Sequence, residues 1–153
     1  MFRPAARETT DTSIEQFHSA HKELQAWTPT LVVTARKLPA LTLAEREHAV
    51  ADLLVDLAAL DVHMRLDEHV LYPEVATRLL DPLATAPMAY DHLAIRDWIK
   101  RLCNASLSDV DELQELLYGL DALIRVHIWK EDKLYLAMLD NPSWPHSEVQ
   151  VAQ

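Results

Sequence analysis

Apolar side chains recur every three or four residues through most of this chain, the spacing that lines one face of an α-helix. Thr12-Ser13-Ile14-Glu15 and Thr42-Leu43-Ala44-Glu45 each match the capping box, in which a hydroxyl satisfies an orphan amide and a carboxylate three residues on reaches back. A first helix is therefore expected from Thr12 to about Lys37, kinked at Pro29. A second runs from Thr42 to a point between Tyr72 and Leu79, its last turns distorted at Pro73. Asp81-Pro82 and Ala86-Pro87 bracket the connection to a third, which carries Ile95, Ile99 and Leu102 and ends near Asn104. Ser108 or Asp109 caps a fourth, which continues through Leu113, Leu116, Leu120, Leu123, Ile124, Leu134 and Met138 until Asn141-Pro142 stops it. The pattern predicts an all-α fold, an antiparallel up-down-up-down four-helix bundle over residues 12–140 with polar tails at 1–11 and 141–153.

Composition narrows the picture. The 153 residues include one glycine, Gly119, which leaves almost nothing for tight hairpin turns and excludes an all-β fold. Fourteen Lys plus Arg against 24 Asp plus Glu give a net charge of −10, so no basic face is available for nucleic acid. The single cysteine, Cys103, supplies neither an internal disulfide nor a CxxC metal knuckle, which suits a reducing cytoplasm. Residues 1–13 lack the apolar core of a secretion signal. The longest apolar stretch, Val50 to Leu60, is interrupted by Asp52 and Asp56 and is about half the ~20 residues needed to span a bilayer. A soluble protein with no membrane segment is expected.

The eight histidines change the picture most. His127 and Glu131 are four apart, about 40° net around a helix, so imidazole and carboxylate point the same way and can grip one metal. His63 and Asp67 repeat the spacing. His127 shares its face with Leu120, Leu123, Ile124, Leu134 and Met138, and so points into the core, where a buried ionisable pair needs a partner. His92 shares a stripe with Met88, Ile95 and Ile99, and His21 with Phe17 and Leu24. His21 lies 18 residues before Pro39 and His63 lies 21 after Thr42, so in an antiparallel pair they meet within a turn. His63 and His92 meet only if the Leu80–Pro87 connection climbs roughly 15 Å. His48-x-x-x-Asp52 has the same spacing, but it sits far along the helix from His63 in a charged, solvated context, and His69 and His146 are read as surface residues.

His63-Met64-Arg65-Leu66-Asp67-Glu68-His69-Val70-Leu71-Tyr72-Pro73, Asp91-His92-Leu93-Ala94-Ile95-Arg96 and His127-Ile128-Trp129-Lys130-Glu131-Asp132-Lys133-Leu134-Tyr135, with His21 on the first helix, resemble the motifs of the hemerythrin-like, or HHE cation-binding, family. The resemblance covers roughly residues 12 to 140. It implies a non-haem diiron centre, two oxo-bridged iron ions held in the bundle core by His21, His63, His92 and His127, with Asp67 and Glu131 as the carboxylates between them. The family usually has Glu at the position of Asp67. Glu68 is the substitute, but it is rotated about 140° from His63 and needs an over-wound turn or a π-bulge to point inward, so geometry favours Asp67. Oxygen-carrying members have a further histidine where this chain has Met88, and His18 or solvent would take its place.

An under-ligated iron has an open position, which favours reaction or sensing over reversible carriage. The expected function is to bind, sense or detoxify a small diatomic gas or peroxide, namely oxygen, nitric oxide or hydrogen peroxide, with peroxide decomposition as the enzymatic form. Competing readings are an iron-sulfur-repair or iron-donor protein, suggested by Phe17-His18-Ser19-Ala20-His21, and a metal-free helical interaction module. In the latter, Trp27, Trp98, Trp129 and Trp144 supply contact surface, the first three otherwise packing in the core or at its boundary.

Overall fold

The computed structural model describes residues 10–141, with side chains from Ile14 onward. The tails at 1–9 and 142–153, with Trp144 and His146, lie outside the described residues. Helix α1 (Thr10–Trp27) is already formed at Thr10, so Thr12 lies within it and does not begin it. After Thr28, whose hydroxyl donates to the Leu24 carbonyl at 2.6 Å, Pro29 opens α2 (Pro29–Lys37). The absent proline N–H divides one long run in two, as expected. A 3₁₀ turn at Leu38–Ala40 leads to α3 (Leu43–Leu66), capped as the sequence predicts: Thr42 N–H donates to Glu45 Oε2 at 2.8 Å and Thr42 Oγ1 accepts from Glu45 N–H. Helix α4 (Tyr72–Leu79) continues that run and stops at Leu80, which takes the left-handed conformation (φ 52°). Helix α5 is Ala86–Asn104, and α6 (Val110–Lys130) is capped by Asp109, whose carboxylate accepts from Glu112 N–H at 3.0 Å. The last helix among the described residues is α7 (Ala137–Leu139).

Two π-helical segments interrupt the α-helical ladder, at Asp67–Leu71 between α3 and α4 and at Glu131–Leu136 between α6 and α7. Tyr72 N–H reaches the Asp67 carbonyl and Ala137 N–H reaches that of Asp132, each five residues back. Pro73 has no N–H to continue the four-residue ladder in the first case. One extra residue per turn rotates everything that follows. Leu134, expected on the core face with His127, is therefore 53% exposed, while Tyr135, Leu136, Met138 and Leu139 turn inward. Trp129 is also exposed, at 58%, because two residues beyond buried His127 is the opposite side of α6. Trp27 donates to Asp56 at 2.8 Å, and Trp98 packs over Gly119, where a Cβ would overlap its ring. The lone glycine thus serves a close helix approach.

The core divides into two apolar clusters. One contains Leu31, Leu57, Leu60, Met64, Ile95, Leu117, Ile124 and Ile128, with Leu24 against it. The other contains Phe17, Leu71, Tyr72, Met88, Tyr135 and Met138. Each of the four helical runs passes from one to the other, and each crosses at polar residues: His21 between Phe17 and Leu24, Asp67 between Met64 and Leu71, His92 between Met88 and Ile95, Glu131 between Ile128 and Tyr135. A buried polar layer between two oily ones needs its own source of stability.

Candidate metal centre

Six residues form that layer: His63, Asp67, His127 and Glu131, paired by their four-residue spacing, and His21 and His92, placed among core residues by their apolar stripes, the same six that the family resemblance implies. One group brings ligand atoms of His21, His63, Asp67 and Glu131 within 4.8 Å of one another, and a second does the same for Asp67, His92, His127 and Glu131. The two carboxylates belong to both groups. Helix α1 carries His21, α3 His63, α5 His92 and α6 His127, while Asp67 and Glu131 are the first residues of the two π segments. Because each segment begins at its carboxylate, the four-residue step from His63 to Asp67 and from His127 to Glu131 is still α-helical. The partners stay on one face, with Nε2 to oxygen distances of 3.5 and 3.4 Å. Across the bundle His21 Nε2 lies 3.3 Å from Glu131 Oε2, and His92 Nε2 lies 3.8 Å from Asp67 Oδ2.

Three of the four imidazoles are oriented from behind. His21 Nδ1 meets Asp132 Oδ1 at 2.6 Å, His92 Nδ1 meets Glu68 Oε1 at 2.9 Å and His127 Nδ1 meets Asp91 Oδ2 at 3.3 Å. An ionised carboxylate only accepts, so Nδ1 carries the proton in each and, in the neutral ring, Nε2 turns a lone pair inward. His92 Nε2 and His127 Nε2 then face each other at 2.9 Å, a contact that a cation relieves. His21 Nε2, His63 Nε2, both Asp67 oxygens and Glu131 Oε2 are buried and have no hydrogen-bond partner. Each such atom costs about 1–3 kcal/mol when left unmet. Imidazole nitrogens and carboxylate oxygens in this ratio suit a first-row transition metal, so the residues present fit a cation centre.

Tyr72 is the residue that spacing missed. Its hydroxyl donates to Glu131 Oε1 at 2.7 Å and lies 3.0 Å from His92 Nε2, with the rings stacked 5.4 Å apart. In the sequence it was visible only as the aromatic of the helix-ending motif. The π turn brings it inward.

Charge crowding shows in the proton affinities. Burial, then the Glu131 and Glu68 carboxylates, pushes Asp67 up to about 9. Burial opposes ionisation of Glu131 as well, but the close approach of His21, the nearby His127 and the Tyr72 hydroxyl hold it below the usual carboxylate range. Burial, then His21, lowers His63 to about 4, and burial with His127 lowers His92. His21 moves the other way: burial resists, but Glu131 and Asp132 raise it. Burial and Glu131 raise Tyr72.

The two supplementary candidates are not brought into either group. His18 pairs at the surface with Asp140 at 2.8 Å, and Glu68 is held by Arg96 at 2.7 Å and by His92 Nδ1. The π segment that Glu68 needed is present, yet it starts at Asp67 and leaves Asp67 inside and Glu68 on the rim. His48 is solvent-exposed beside Asp52, and His69 is exposed on the Arg65 carbonyl. Met88 is buried.

A helical bundle whose core holds two overlapping His/carboxylate groups defines a cation-binding protein of the four-helix type. The chain matches the hemerythrin HHE cation-binding domain over residues 12–139, and it belongs to that family. Comparison with curated proteins and with solved structures returns no match.

Proposed function

We propose that this is a non-haem diiron protein of the hemerythrin type that binds, senses or detoxifies oxygen, nitric oxide or peroxide. The observation that carries the reading is the set of unpartnered buried atoms on His21, His63, Asp67 and Glu131, which coincide with the two overlapping donor groups. A metal-free interaction module would leave every one of them unmet, which argues against that alternative. Two irons, when bound, supply one-electron chemistry and an open coordination position.

Around them the chain's own groups do the rest. His21, His63, His92 and His127 would hold the metal through neutral nitrogens, and Asp67 and Glu131 would offset its cationic charge. Tyr72 fixes Glu131 by its hydrogen bond. The apolar clusters above and below shield the layer from bulk water on two sides and favour small ligands. Buried Met88, in place of the further histidine of oxygen carriers, supports a site with fewer nitrogens and hence reaction or sensing. The same reading takes the bundle as antiparallel, up-down-up-down. Its support is that successive helical runs cross between the two clusters in alternating order. A cytoplasmic location is part of the proposal, and a free, exposed Cys103 is compatible with it.

The test is metal content. Protein produced with iron supplied is expected to carry about two irons per chain, with a near-ultraviolet charge-transfer band in the oxidised form. Stoichiometric zinc with no iron uptake on reconstitution overturns the diiron reading.

A further inference from the structure

The outer partners of the four histidines are unequal. His92 and His127, which serve one donor group, both rest on carboxylates, and those carboxylates are themselves braced: Glu68 by Arg96, which also holds Asp61 at 2.7 Å, and Asp91 by Lys130. In the other group His21 rests on Asp132, which Gln25 holds at 2.8 Å. His63 has no such support. Among the described residues its Nδ1 meets no carboxylate or carbonyl, and its other contacts are the Asp67 oxygen and the edges of Phe17 and His21. It is also the wettest of the four, with 10% of its side chain exposed against 2% or less for the others.

A carboxylate behind an imidazole raises its basicity and removes the rotational freedom that binding would otherwise have to freeze, and loss of such a partner costs about 10–100-fold in metal affinity. We propose that the two metal positions have unequal hold. The His92–His127 position retains its ion, and the His21–His63 position exchanges first because His63 is unbraced and reachable by water. Glu68 and Asp91 act as positioning residues for the tight position, and Asp132 for the labile one. The inference rests on the diiron reading and assigns its labile half.

Iron release tests it. The iron-loaded protein is reduced without oxygen and mixed with excess ferrous chelator, and the coloured complex is followed in time. Two phases of equal amplitude are expected, separated by about 10-fold or more in rate. Glu68→Gln and Asp91→Asn should each speed the slow phase about 10–100-fold and leave the fast one unchanged. Asp132→Asn should do the converse, and His63→Ala should remove the fast phase while keeping one slowly released iron. The unaffected phase in each variant controls for loss of fold, which would move both. Release of both irons in one phase, or a slow phase insensitive to Glu68→Gln and Asp91→Asn, overturns the inference while the diiron reading stands. Failure to take up iron overturns both.

Discussion

At the residue scale, the sharpest question is which neighbour of the Asp67-Glu68 pair faces the buried His/carboxylate layer. Both Asp67 oxygens are buried without partners, whereas Glu68 is satisfied by Arg96 and His92. Asp67→Ala should therefore abolish or halve the iron content, measured by elemental analysis, and Glu68→Ala should leave it near two per chain when iron is in excess. Asp67→Glu should be tolerated, because an added methylene lengthens the arm that reaches both positions. His127→Ala should lower both iron content and Tm, since metal binding contributes to folding and its loss leaves Glu131 buried beside fewer positive partners. His48→Ala, on a solvated face with the same four-residue spacing, should change neither. That these six residues share one buried layer was legible in the sequence, because a four-residue step on a helix is geometric, the neighbours of His21, His92 and His127 are apolar, and the motifs resemble those of the family. Tyr72 and the outer carboxylates Asp91 and Asp132 were not, because their roles depend on which helices lie side by side.

At the scale of the element, the capping box at Thr42, the break at Pro29 and the cap at Asp109 were readable, since each is decided by residues within a few positions. The two π segments were not. A π turn carries no residue signature of its own, and Pro73 accounts for only one of them. Their effect was to invert the expectations for Leu134 and to bring Tyr72 and Tyr135 into the core. The end of α4 was placed correctly, but its stop is unusual: Leu80 takes a left-handed φ of 52° that glycine adopts without strain, in a chain with almost no glycine. The Leu80 side chain is 86% exposed and gives little in packing. Leu80→Gly should thus stabilise the protein, by about 1 kcal/mol, seen as a rise in the thermal or urea midpoint with iron content unchanged. A fall in the midpoint would mean that Leu80 packs in a way its exposure conceals.

At the scale of the whole molecule, the buried polar layer couples folding to protons and to metal. Without metal, Asp67 is held near 9 from an ordinary 3.8, so between those values the folded state binds more protons than the unfolded one. Its contribution to stability therefore falls as pH rises. His63 works in the opposite sense: lowered from 6.5 to about 4, it makes the unfolded state bind more protons over that interval, so stability rises with pH there. His92, also lowered, acts with His63, while His21, raised, acts with Asp67 above 6.5. From about pH 4 to 6.5 these effects oppose one another, and above 6.5 only the falling ones remain. The metal-free protein should accordingly gain stability modestly across the acidic interval, where His63 and His92 together outweigh Asp67, and then lose it towards pH 9, with a slope of at most about 1.4 kcal/mol per pH unit for each proton involved. Urea midpoints of the metal-stripped chain at several pH values measure this. Asp67→Asn should flatten most of the decline, because a carboxamide does not titrate. Metal uptake should release protons at neutral pH and abolish the decline in the native chain, since a cation stabilises the ionised carboxylate that burial otherwise disfavours. A metal-free protein that gained stability steadily from pH 6.5 to 9 would show that Asp67 ionises freely in the core, and would remove the electrostatic reason for a cation there.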